Sequence, residues 1–499
     1  MRPATHTSLD ELFEGLDASV QGEPRQPVTS IATDSRLVKP GALFFCLRGE
    51  RADGHAFARQ AAAAGAVAIV ADHRIDVADA ALVVVPDALR ALSEVAARFY
   101  GDPSASLTVV GITGTNGKTT TSYFVEAIAR EVGQPFGVIG TLGARFGDKT
   151  ETLANTTPFA DETQRLLAEF RDAGARGAVL EVSSHALELH RVDDVSFDVA
   201  VFTNLTHDHL DFHASFDDYR AAKRKLFSAR MGRKGSPPVA VLNVDDKEGR
   251  ALEGLIRTDR HARCLTFGVD NPHAMFSASD VQMGPSGSTF WVRQLRPAPF
   301  TIRLPGAFNV QNAMAALATG VALDFDSEAI ACGLESLEVV PGRMMSLRAR
   351  DLGVFIDYAH TPDGMEQLLR AVRALTPGRM TVVFGCGGNR DAKKRPVMGR
   401  IAQTFADRVI VTNDNPRHED PQAIVDDILA GMDRERGRCE VIFDRAKAIE
   451  TAVRESAAGD CVVIAGKGHE DYQLVGDERR AFSDADVARG ALTARDGQR

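Results

Sequence analysis

The segment Gly114–Thr120, Gly-Thr-Asn-Gly-Lys-Thr-Thr, carries the clearest chemistry in this 499-residue chain. It follows a β-branched run over 108–113, and the composition of 121–130 predicts a helix after it. A glycine turn between a strand and a helix directs backbone N–H groups and the positive end of the helix dipole toward an anion. In such a loop Lys118 reaches the terminal phosphates and the Thr119 hydroxyl takes a Mg²⁺ position. We therefore expect a nucleotide phosphate site, in a variant spacing with Ile112 at the usual first glycine.

Polar side chains follow two short apolar segments, 178–182 and 199–203, that predict buried strands. The first is followed by Ser183, Ser184 and His185 after Glu181 near its end, and the second by Asn204, His207, Asp208, His209, Asp211 and His213. One histidine beside acids usually belongs to a surface cluster, but two clusters at the same edge of a parallel sheet indicate a binding site. Glu181 and His209 are the candidate metal ligands, and their oxygen-rich surroundings favour Mg²⁺ over Zn²⁺.

A lysine also lies on the apolar side of a predicted amphipathic helix over 216–230. Phe216, Tyr219, Leu226 and Phe227 are spaced to face the core, and Lys223 shares their side. From the residues alone, the simplest interpretation is a lysine that extends its ammonium to solvent.

The elements that must position these residues indicate an α/β protein. A chain of 499 residues is too long to fold around one hydrophobic core, so we expect about three domains. We expect a small N-terminal α/β domain over 1–103, a central phosphate-loop domain with a parallel sheet over 104–338, and a Rossmann-like α/β domain over 339–499. Residues 270–305 predict an antiparallel excursion. Asn309 and Asn312 open a small-residue helix, either as caps or as contacts to an adenine.

The predicted C-terminal sheet contains strands near 354–357, 381–384, 408–411 and 462–465. A polar segment follows each strand, in the ranges 357–363, 385–391, 414–417 and 466–470. Because the carboxyl ends of parallel strands share one edge, these four segments predict a second binding face.

Composition excludes several classes of protein. The net charge of −10 argues against a nucleic-acid partner held by diffuse electrostatics. Six widely spaced cysteines suit a reducing compartment, and neither a membrane-length apolar run nor a signal-peptide pattern is present. We expect a cytoplasmic monomer.

The ordered motifs of the chain resemble those of the Mur ligases, the ATP-dependent amide-forming family that builds the peptidoglycan stem peptide. They are Gly-Thr-Asn-Gly-Lys-Thr-Thr, Glu-Val-Ser-Ser-His, Thr-Asn-Leu-Thr-His-Asp-His-Leu-Asp, Leu-Pro-Gly-x-Phe-Asn, Asp-Tyr-Ala-His-Thr-Pro-Asp and Lys-Gly-His-Glu. The resemblance covers nearly the whole length. Within the family the chain is similar to members that add the third residue to UDP-MurNAc-L-Ala-D-Glu through an acyl phosphate.

The resemblance implies a role for each matching residue. ATP would be bound by Gly114, Thr115, Asn116, Gly117, Lys118, Thr119, Thr120, Asn309, Arg343, Asp357 and His360. The UDP-MurNAc dipeptide would contact Ser35, Asn155, Thr156, Thr157, Ser183 and Arg191. Mg²⁺ would be held by Thr119, Glu181, His209 and a carbamylated Lys223, and catalysis would rest on Lys118, Lys223, Glu181 and His209. The amine substrate would contact Arg390, Asp414, Asn415, Pro416, Arg417, Gly466 and Glu470.

The segment Asp414–Arg417 indicates which amine enters. An arginine presents a planar fork that matches a carboxylate. meso-Diaminopimelate carries a carboxylate and an ammonium at its far end, whereas L-lysine carries the ammonium alone, so Arg417 favours diaminopimelate and Glu470 would take the ammonium. The alternatives are a lysine-adding ligase of the same family, an amide ligase of the folylpolyglutamate synthetase type, and a nucleotide switch without ligase activity.

Overall fold

The computed structural model describes residues 7–23, 25–49, 52–206, 212–228, 231–232, 237–258, 263–284, 286–349, 351–433 and 438–497. Within them, successive parts of the chain build separate β-sheets covered by helices. The predicted α/β class is confirmed.

The first part of the chain forms a five-stranded sheet in the order β2-β7-β6-β5-β4. The strands of this part of the chain are β1 (Thr7–Ser8), β2 (Ser19–Gln21), β3 (Pro27–Val28), β4 (Ser30–Ala32), β5 (Ala42–Phe45), β6 (Ala68–Ala71) and β7 (Ala81–Val84). The helices are α1 (Leu9–Phe13), α2 (Ala58–Ala63) and α3 (Ala88–Phe99). Strands β4 to β7 are parallel, while β1 pairs with β3 apart from the sheet. Every residue of β5 and β6 is buried, which is typical of strands covered on both faces.

The central part contains a nine-stranded sheet in the order β11-β10-β9-β12-β8-β13-β14-β15-β16. Its strands are β8 (Thr108–Thr113), β9 (Phe136–Gly140), β10 (Gly143–Phe146), β11 (Lys149–Glu151), β12 (Gly177–Glu181), β13 (Val199–Phe202), β14 (Val239–Asn243), β15 (Cys264–Gly268) and β16 (Phe276–Ser277). The helices are α4 (Lys118–Glu131), α5 (Ala160–Asp172), α6 (Ser184–Glu188), α7 (Phe216–Arg224), α8 (Lys247–Thr258), α9 (Ala307–Ala322) and α10 (Ser327–Ser336). Strand β8 lies between β12 and β13 and is parallel to both, so the polar segments that follow these three strands lie at one edge of the sheet.

An antiparallel sheet of β17 (Ser279–Gly284), β18 (Gly287–Trp291) and β19 (Phe300–Ile302) interrupts the central part. It confirms the excursion predicted over 270–305. Phe290 and Phe300 stack with ring centroids 5.8 Å apart and join the core under α4 and α9.

The last part forms a six-stranded sheet in the order β20-β21-β25-β22-β23-β24. Its strands are β20 (Met345–Ala349), β21 (Leu352–Asp357), β22 (Met380–Phe384), β23 (Arg408–Val411), β24 (Arg438–Val441) and β25 (Cys461–Ala465), followed by the hairpin β26 (Tyr472–Val475) and β27 (Glu478–Ala481). The helices are α11 (Pro362–Leu375), α12 (Lys394–Phe405), α13 (Pro421–Leu429), α14 (Arg445–Glu455) and α15 (Asp484–Gly497). Strands β21 to β25 are parallel and only β20 is antiparallel, as expected for a Rossmann-like sheet.

All six cysteines are free thiols. Across the described ranges, each helix is too short or too polar to cross a lipid bilayer.

Candidate active site

A cleft of about 790 Å³ joins the edges of the central and C-terminal sheets. The residues predicted for chemistry that line it are Thr115, Asn116, Gly117, Lys118, Thr119, Thr120, Asn155, Thr156, Thr157, Glu181, Ser183, Arg191, Arg343, Asp357, His360, Arg390, Arg417 and Glu470. Of the other predicted residues, Gly114, Asn309, Lys223, Asp414, Asn415, Pro416 and Gly466 lie behind this lining, Ser35 lies in the N-terminal part, and His209 lies outside the described residues. The cleft thus collects residues separated by more than 300 positions.

The phosphate loop needs its two glycines for different contacts. Gly117 has φ +88° and a Cβ there would overlap Asn312 Oδ1, while a Cβ on Gly114 would overlap Thr203 Oγ1. Helix α4 starts directly after Gly117, so its first N–H groups face the cleft. The backbone is therefore shaped to receive an anion at a helix N-terminus.

Side chains inside the loop fix its curvature. Lys118 Nζ donates to the carbonyls of Gly114 and Thr115 at 2.8 and 2.9 Å. The backbone of Asn116 is held from the next strand, since its N–H donates to Asn204 Oδ1 at 2.9 Å and its carbonyl accepts from Asn204 Nδ2 at 3.1 Å. Asn204 was predicted only as part of a polar cluster.

Glu181 is a buried carboxylate surrounded by hydroxyl groups. Its Oε2 accepts from the Thr119 and Thr141 hydroxyls, each at 2.9 Å, and its Oε1 accepts from the Thr141 N–H at 3.1 Å. Arg343 Nη2 donates to the same Thr119 hydroxyl at 3.2 Å. This group of oxygens has the donor chemistry that Mg²⁺ prefers. Sequence reasoning missed Thr141, although its position directly after β9 at the binding edge was a usable signal.

Lys223 is buried, with 3% of its surface exposed. Its Nζ donates to the Gly114 carbonyl at 2.9 Å and lies 4.6 Å from the centroid of the Tyr219 ring. The interpretation of a lysine reaching solvent is therefore wrong, because α7 ends at Arg224 and aims Lys223 at the back of the phosphate loop. The apolar side predicted for the helix does pack inward at Tyr219, Leu226 and Phe227, the last two in a 3₁₀ turn.

The wall beside Glu181 carries residues that the motif resemblance predicts to contact the sugar-peptide substrate. The Thr157 hydroxyl donates to the Glu181 carbonyl at 2.7 Å, and Arg191 Nη1 donates to the Thr157 carbonyl at 2.8 Å. Within the described part of the chain, the buried Nε of Arg191 makes no hydrogen bond, and burial lowers the pKa of its guanidinium. A cation in that condition favours an anionic ligand. Ser183 caps α6 by accepting the Ala186 N–H at 3.1 Å.

Asn309 and Asn312 lie inside α9, whose N-cap is Gly306, and neither side chain caps the helix. Asn309 is buried and donates to the Pro305 carbonyl at 2.8 Å, while its Oδ1 accepts from Asn312 Nδ2 at 3.2 Å. Asn309 therefore orients Asn312, and Asn312 is the one that lines the cleft.

On the opposite wall, Asp357 accepts the Met344 N–H at 2.6 Å, and burial raises the pKa of its carboxyl despite the nearby Arg343. His360 Nδ1 lies 2.8 Å from the Tyr358 carbonyl. A further contact crosses the cleft. Asn116 Nδ2 donates to Asp363 Oδ2 at 2.7 Å, and burial raises the pKa of Asp363.

Arg417 is held in an unusual conformation at the far end of the cleft. Its φ is +53°, and the hairpin fixes it there through hydrogen bonds from its N–H to the Leu474 carbonyl at 3.0 Å and from the Gly476 N–H to its carbonyl at 2.7 Å. Nη1 donates to the Gly388 carbonyl at 2.9 Å. Burial and the neighbouring Arg390 lower the pKa of Arg417. Both guanidinium groups line the same end of the cleft.

Behind these arginines lies a network of Asn415, Lys467 and Glu470. Asn415 Nδ2 and Lys467 Nζ both donate to Glu470 Oε2, at 2.9 and 2.8 Å. Gly466 has φ +111°, and a Cβ there would lie 2.8 Å from Asp414 Oδ2. Pro416 carries its carbonyl against Gly388, where a Cβ would overlap it. Lys467 belongs to the Lys-Gly-His-Glu motif, but the sequence alone predicts no role for it.

Three family models match successive parts of the chain. They are the Mur ligase family, catalytic domain over residues 27–100, the Mur ligase middle domain over 112–320, and the Mur ligase, glutamate ligase domain over 342–468. Together they include all of the residues that line the cleft except Glu470 and Tyr472.

Curated relatives match over almost the full length. A protein of Syntrophomonas wolfei is 43% identical over 485 residues, covering 96% of this chain and 98% of its own, and one of Thermosynechococcus vestitus is 46% identical over 476 residues, covering 94% of both. Both are named UDP-N-acetylmuramoyl-L-alanyl-D-glutamate--2,6-diaminopimelate ligase.

Solved structures agree in fold. A structure titled UDP-N-acetylmuramoyl-L-alanyl-D-glutamate--2,6-diaminopimelate ligase has 33% identity and a TM-score of 0.68, covering 98% of this chain and 99% of its own. MurF from Acinetobacter baumannii, at 20% identity and a TM-score of 0.69 over 99% of both chains, shares the fold. Folylpolyglutamate synthase of Mycobacterium tuberculosis, at 19% identity and a TM-score of 0.62, shares it over 80% of this chain and 93% of its own. With three matching models in order and relatives above 40% identity along its length, the chain belongs to the Mur ligase family of ATP-dependent amide ligases.

Proposed function

We propose that this enzyme adds meso-diaminopimelate to the D-Glu carboxylate of UDP-MurNAc-L-Ala-D-Glu, consuming ATP and releasing ADP and phosphate. The relatives named above carry out the reaction that their names state. The observation that carries the proposal is the pair Arg390 and Arg417, which faces the same cleft as the phosphate loop.

The chemistry answers a physical difficulty. A carboxylate is a poor electrophile because an attacking amine must add electron density to a group that is already anionic. Transfer of the γ-phosphoryl group of ATP to the D-Glu carboxylate converts it into an acyl phosphate, with ADP as the leaving group. The amine then attacks the acyl carbon, phosphate leaves, and the amine loses a proton as the amide forms.

We assign the phosphates of ATP to the loop Gly114–Thr120. The N–H groups at the start of α4 and the Lys118 ammonium would stabilise the charge that passes between donor and acceptor oxygens. Lys118 contacts two loop carbonyls, so it would turn from them to the phosphates when ATP binds. Arg343, Asp357, His360 and Asn312, held by Asn309, are proposed for the remainder of the nucleotide.

The hydroxyl and carboxylate oxygens around Glu181 fit a magnesium ion. Thr119 and Glu181 would hold one Mg²⁺, and His209 with Lys223 would hold a second. Carbamylation of Lys223 would convert its ammonium into a carboxylate-like ligand beside the phosphate loop. When bound, Mg²⁺ neutralises phosphate charge.

The distal end of the amine substrate is assigned to Arg417, Arg390 and Glu470. The Nη2 edge of a guanidinium that donates Nη1 to the Gly388 carbonyl is suited to a carboxylate. Asp414, Asn415, Pro416 and Gly466 would shape this pocket from behind. L-Lysine would leave Arg417 without its anion, a loss that reaches about 10⁴-fold in sites built around a polar partner.

The remaining assignments concern the UDP-linked substrate and the domains. The sugar and peptide would be contacted by Asn155, Thr156, Thr157, Ser183 and Arg191, and the uridine by Ser35. We propose that the chain divides into three domains at about 103 and 338. The matched model boundaries at 100, 112, 320 and 342 support that division. A reaction that uses ATP and a nucleotide-linked precursor belongs in the cytoplasm, and we propose a monomer.

The experiment is ADP release by the purified protein with ATP, Mg²⁺ and UDP-MurNAc-L-Ala-D-Glu, comparing meso-diaminopimelate with L-lysine. We expect kcat/KM for diaminopimelate to exceed that for L-lysine by up to about 10⁴-fold. Equal or faster release with L-lysine would overturn the assignment of Arg417 in favour of a lysine-adding ligase. Comparable ATP turnover without any amine would indicate a nucleotide switch, and turnover with folate and glutamate would indicate the folylpolyglutamate synthetase type.

A further inference from the structure

Lys467 is a fully buried cation that lies next to the proposed amine pocket. Its Nζ donates to Asn415 Oδ1 at 3.1 Å and to Glu470 Oε2 at 2.8 Å, and it lies 5.4 Å from the centroid of the Tyr472 ring. Burying an ammonium is costly unless it is paired and hydrogen-bonded, and Glu470 and Asn415 supply those partners.

Both polar atoms of the Asn415 side chain are engaged in this network. Its Oδ1 accepts from Lys467 and from the Leu474 N–H at 2.9 Å, and its Nδ2 donates to Glu470. Asn415 therefore orients Glu470 and the hairpin. Glu470 itself faces the cleft, with one of its oxygens held by two donors.

The described charges around this pocket are unequal. Arg390, Arg417 and Lys467 supply three cations, and Asp414 and Glu470 supply two carboxylates. The nearby Arg445 is balanced by its buried pair with Asp484, at 2.7 Å. An excess positive charge tolerates the distal end of meso-diaminopimelate, whose carboxylate and ammonium cancel, and repels the distal end of L-lysine, which is a bare ammonium.

We propose that Lys467 is a specificity-determining residue that rejects acceptors ending in an ammonium without a carboxylate. This inference rests on the proposed function. Lys467 does not itself contact the acceptor. It acts by offsetting the charge of Glu470 and by fixing the orientation of the Glu470 carboxylate. Rejection of L-lysine is thus divided between the missing partner of Arg417 and the electrostatic field of a buried lysine.

The test is Lys467→Met in the full-length enzyme, with kcat/KM measured separately for meso-diaminopimelate and L-lysine. We expect kcat/KM for L-lysine to rise, so that the ratio of kcat/KM for meso-diaminopimelate to kcat/KM for L-lysine falls about tenfold. KM for ATP should stay unchanged. Arg479→Met is the matched control, because its exposed guanidinium lies over the same Tyr472 ring at 4.1 Å and its loss should leave the ratio unchanged.

A second comparison covers the case in which Lys467→Met does not fold. Glu470→Gln and the double variant Lys467→Met with Glu470→Gln differ only in the lysine, and kcat/KM for L-lysine should be about tenfold higher in the double variant. An unchanged L-lysine value in both comparisons, or a parallel change in KM for ATP, overturns the inference alone. A wild-type enzyme that is inactive with meso-diaminopimelate overturns the proposed function instead.

Discussion

Asn116 in the phosphate loop and Asp363 in the first turn of α11 are joined by a hydrogen bond of 2.7 Å, although 247 residues separate them in sequence. The bond connects the loop that we propose for ATP to the sheet that we propose for the amine. It also places a carboxylate, with a pKa raised by burial, beside a site meant for phosphates.

Asp363→Asn should lower KM for ATP about threefold, because it removes a negative charge near the phosphates while keeping an oxygen that can accept from Asn116. Steady-state kinetics with ATP as the varied substrate checks this. Glu366→Gln on the same helix, paired with Arg370, is the control and should change little. A higher KM for ATP would mean that the carboxylate assists nucleotide binding.

Lys223→Ala should reduce kcat by about 10³-fold or more, since it removes a proposed ligand of the second metal and a donor to the phosphate loop. Lys225→Ala is the control. It removes a nearby lysine that forms an exposed ion pair with Glu188, and it should retain activity. Circular dichroism establishes that both variants are folded. Near wild-type turnover by a folded Lys223→Ala protein would exclude Lys223 from the metal site.

Arg417→Lys should lower kcat/KM for meso-diaminopimelate about 100-fold with little change in KM for ATP, because a point charge cannot reproduce the two-pronged contact. Arg480→Lys, on the exposed strand β27 of the same hairpin, provides the control. If acceptor preference is unaffected, the carboxylate of the substrate binds elsewhere.

Thr141→Val should raise the Mg²⁺ concentration needed for half-maximal activity about fivefold, because Glu181 loses one of the hydroxyls that orient it. KM for the amine should not change. Thr163→Val is matched, since that buried hydroxyl donates to the Pro158 carbonyl away from the cleft. An unaltered Mg²⁺ titration would show that Thr141 has no part in orienting the ligand.

His469 predicts a pH dependence of stability. Burial, with a contribution from Arg343, lowers the pKa of its ring from 6.5 to about 4. The unfolded chain takes up a proton first as pH falls, so stability is complete above pH 6.5 and decreases toward pH 4, by about 3 kcal/mol from this group. Urea unfolding between pH 4 and 7 should show a flatter profile for His469→Gln, and no change for the exposed His273→Gln. Equal slopes for wild type and His469→Gln would refute the prediction.

The sequence was sufficient for elements whose signals are local. Glycine spacing predicted the loop and α4, short apolar runs predicted β12 and β13, and polar segments after parallel strands predicted which residues gather at the cleft. Residues such as Thr119, Glu181 and Arg417 could be selected because their motif positions and their chemistry agreed.

Features that depend on contacts between distant segments were not predictable. The depth of Lys223 depends on how α7 crosses the phosphate loop, and amphipathic spacing cannot distinguish a buried ammonium from one at the surface. The position of Thr141 after a strand was visible in the sequence, but its contact with Glu181 depends on the pairing of β9 with β12. Lys467 becomes informative once its partners Asn415 and Glu470 are known, since they are 52 and 3 positions away.

The hairpin β26–β27 supports the residues proposed to select the amine, and these residues are separate from the loop proposed to bind the ATP phosphates. It fastens Arg417 by backbone hydrogen bonds and Asn415 by a hydrogen bond from the Leu474 N–H to the Asn415 side chain. All of the contacts proposed for the amine fall within 390–470, whereas the triphosphate is assigned to 114–120. On these proposed assignments, the amine-binding segments can be exchanged without altering the phosphate loop, whereas Arg343, Asp357 and His360 of the same part of the chain stay with the nucleotide. Grafting segments 385–390, 414–417 and 466–481 from a relative that uses another amine would transfer its preference while the phosphorylating half is inherited intact, a route open equally to evolution and to enzyme engineering.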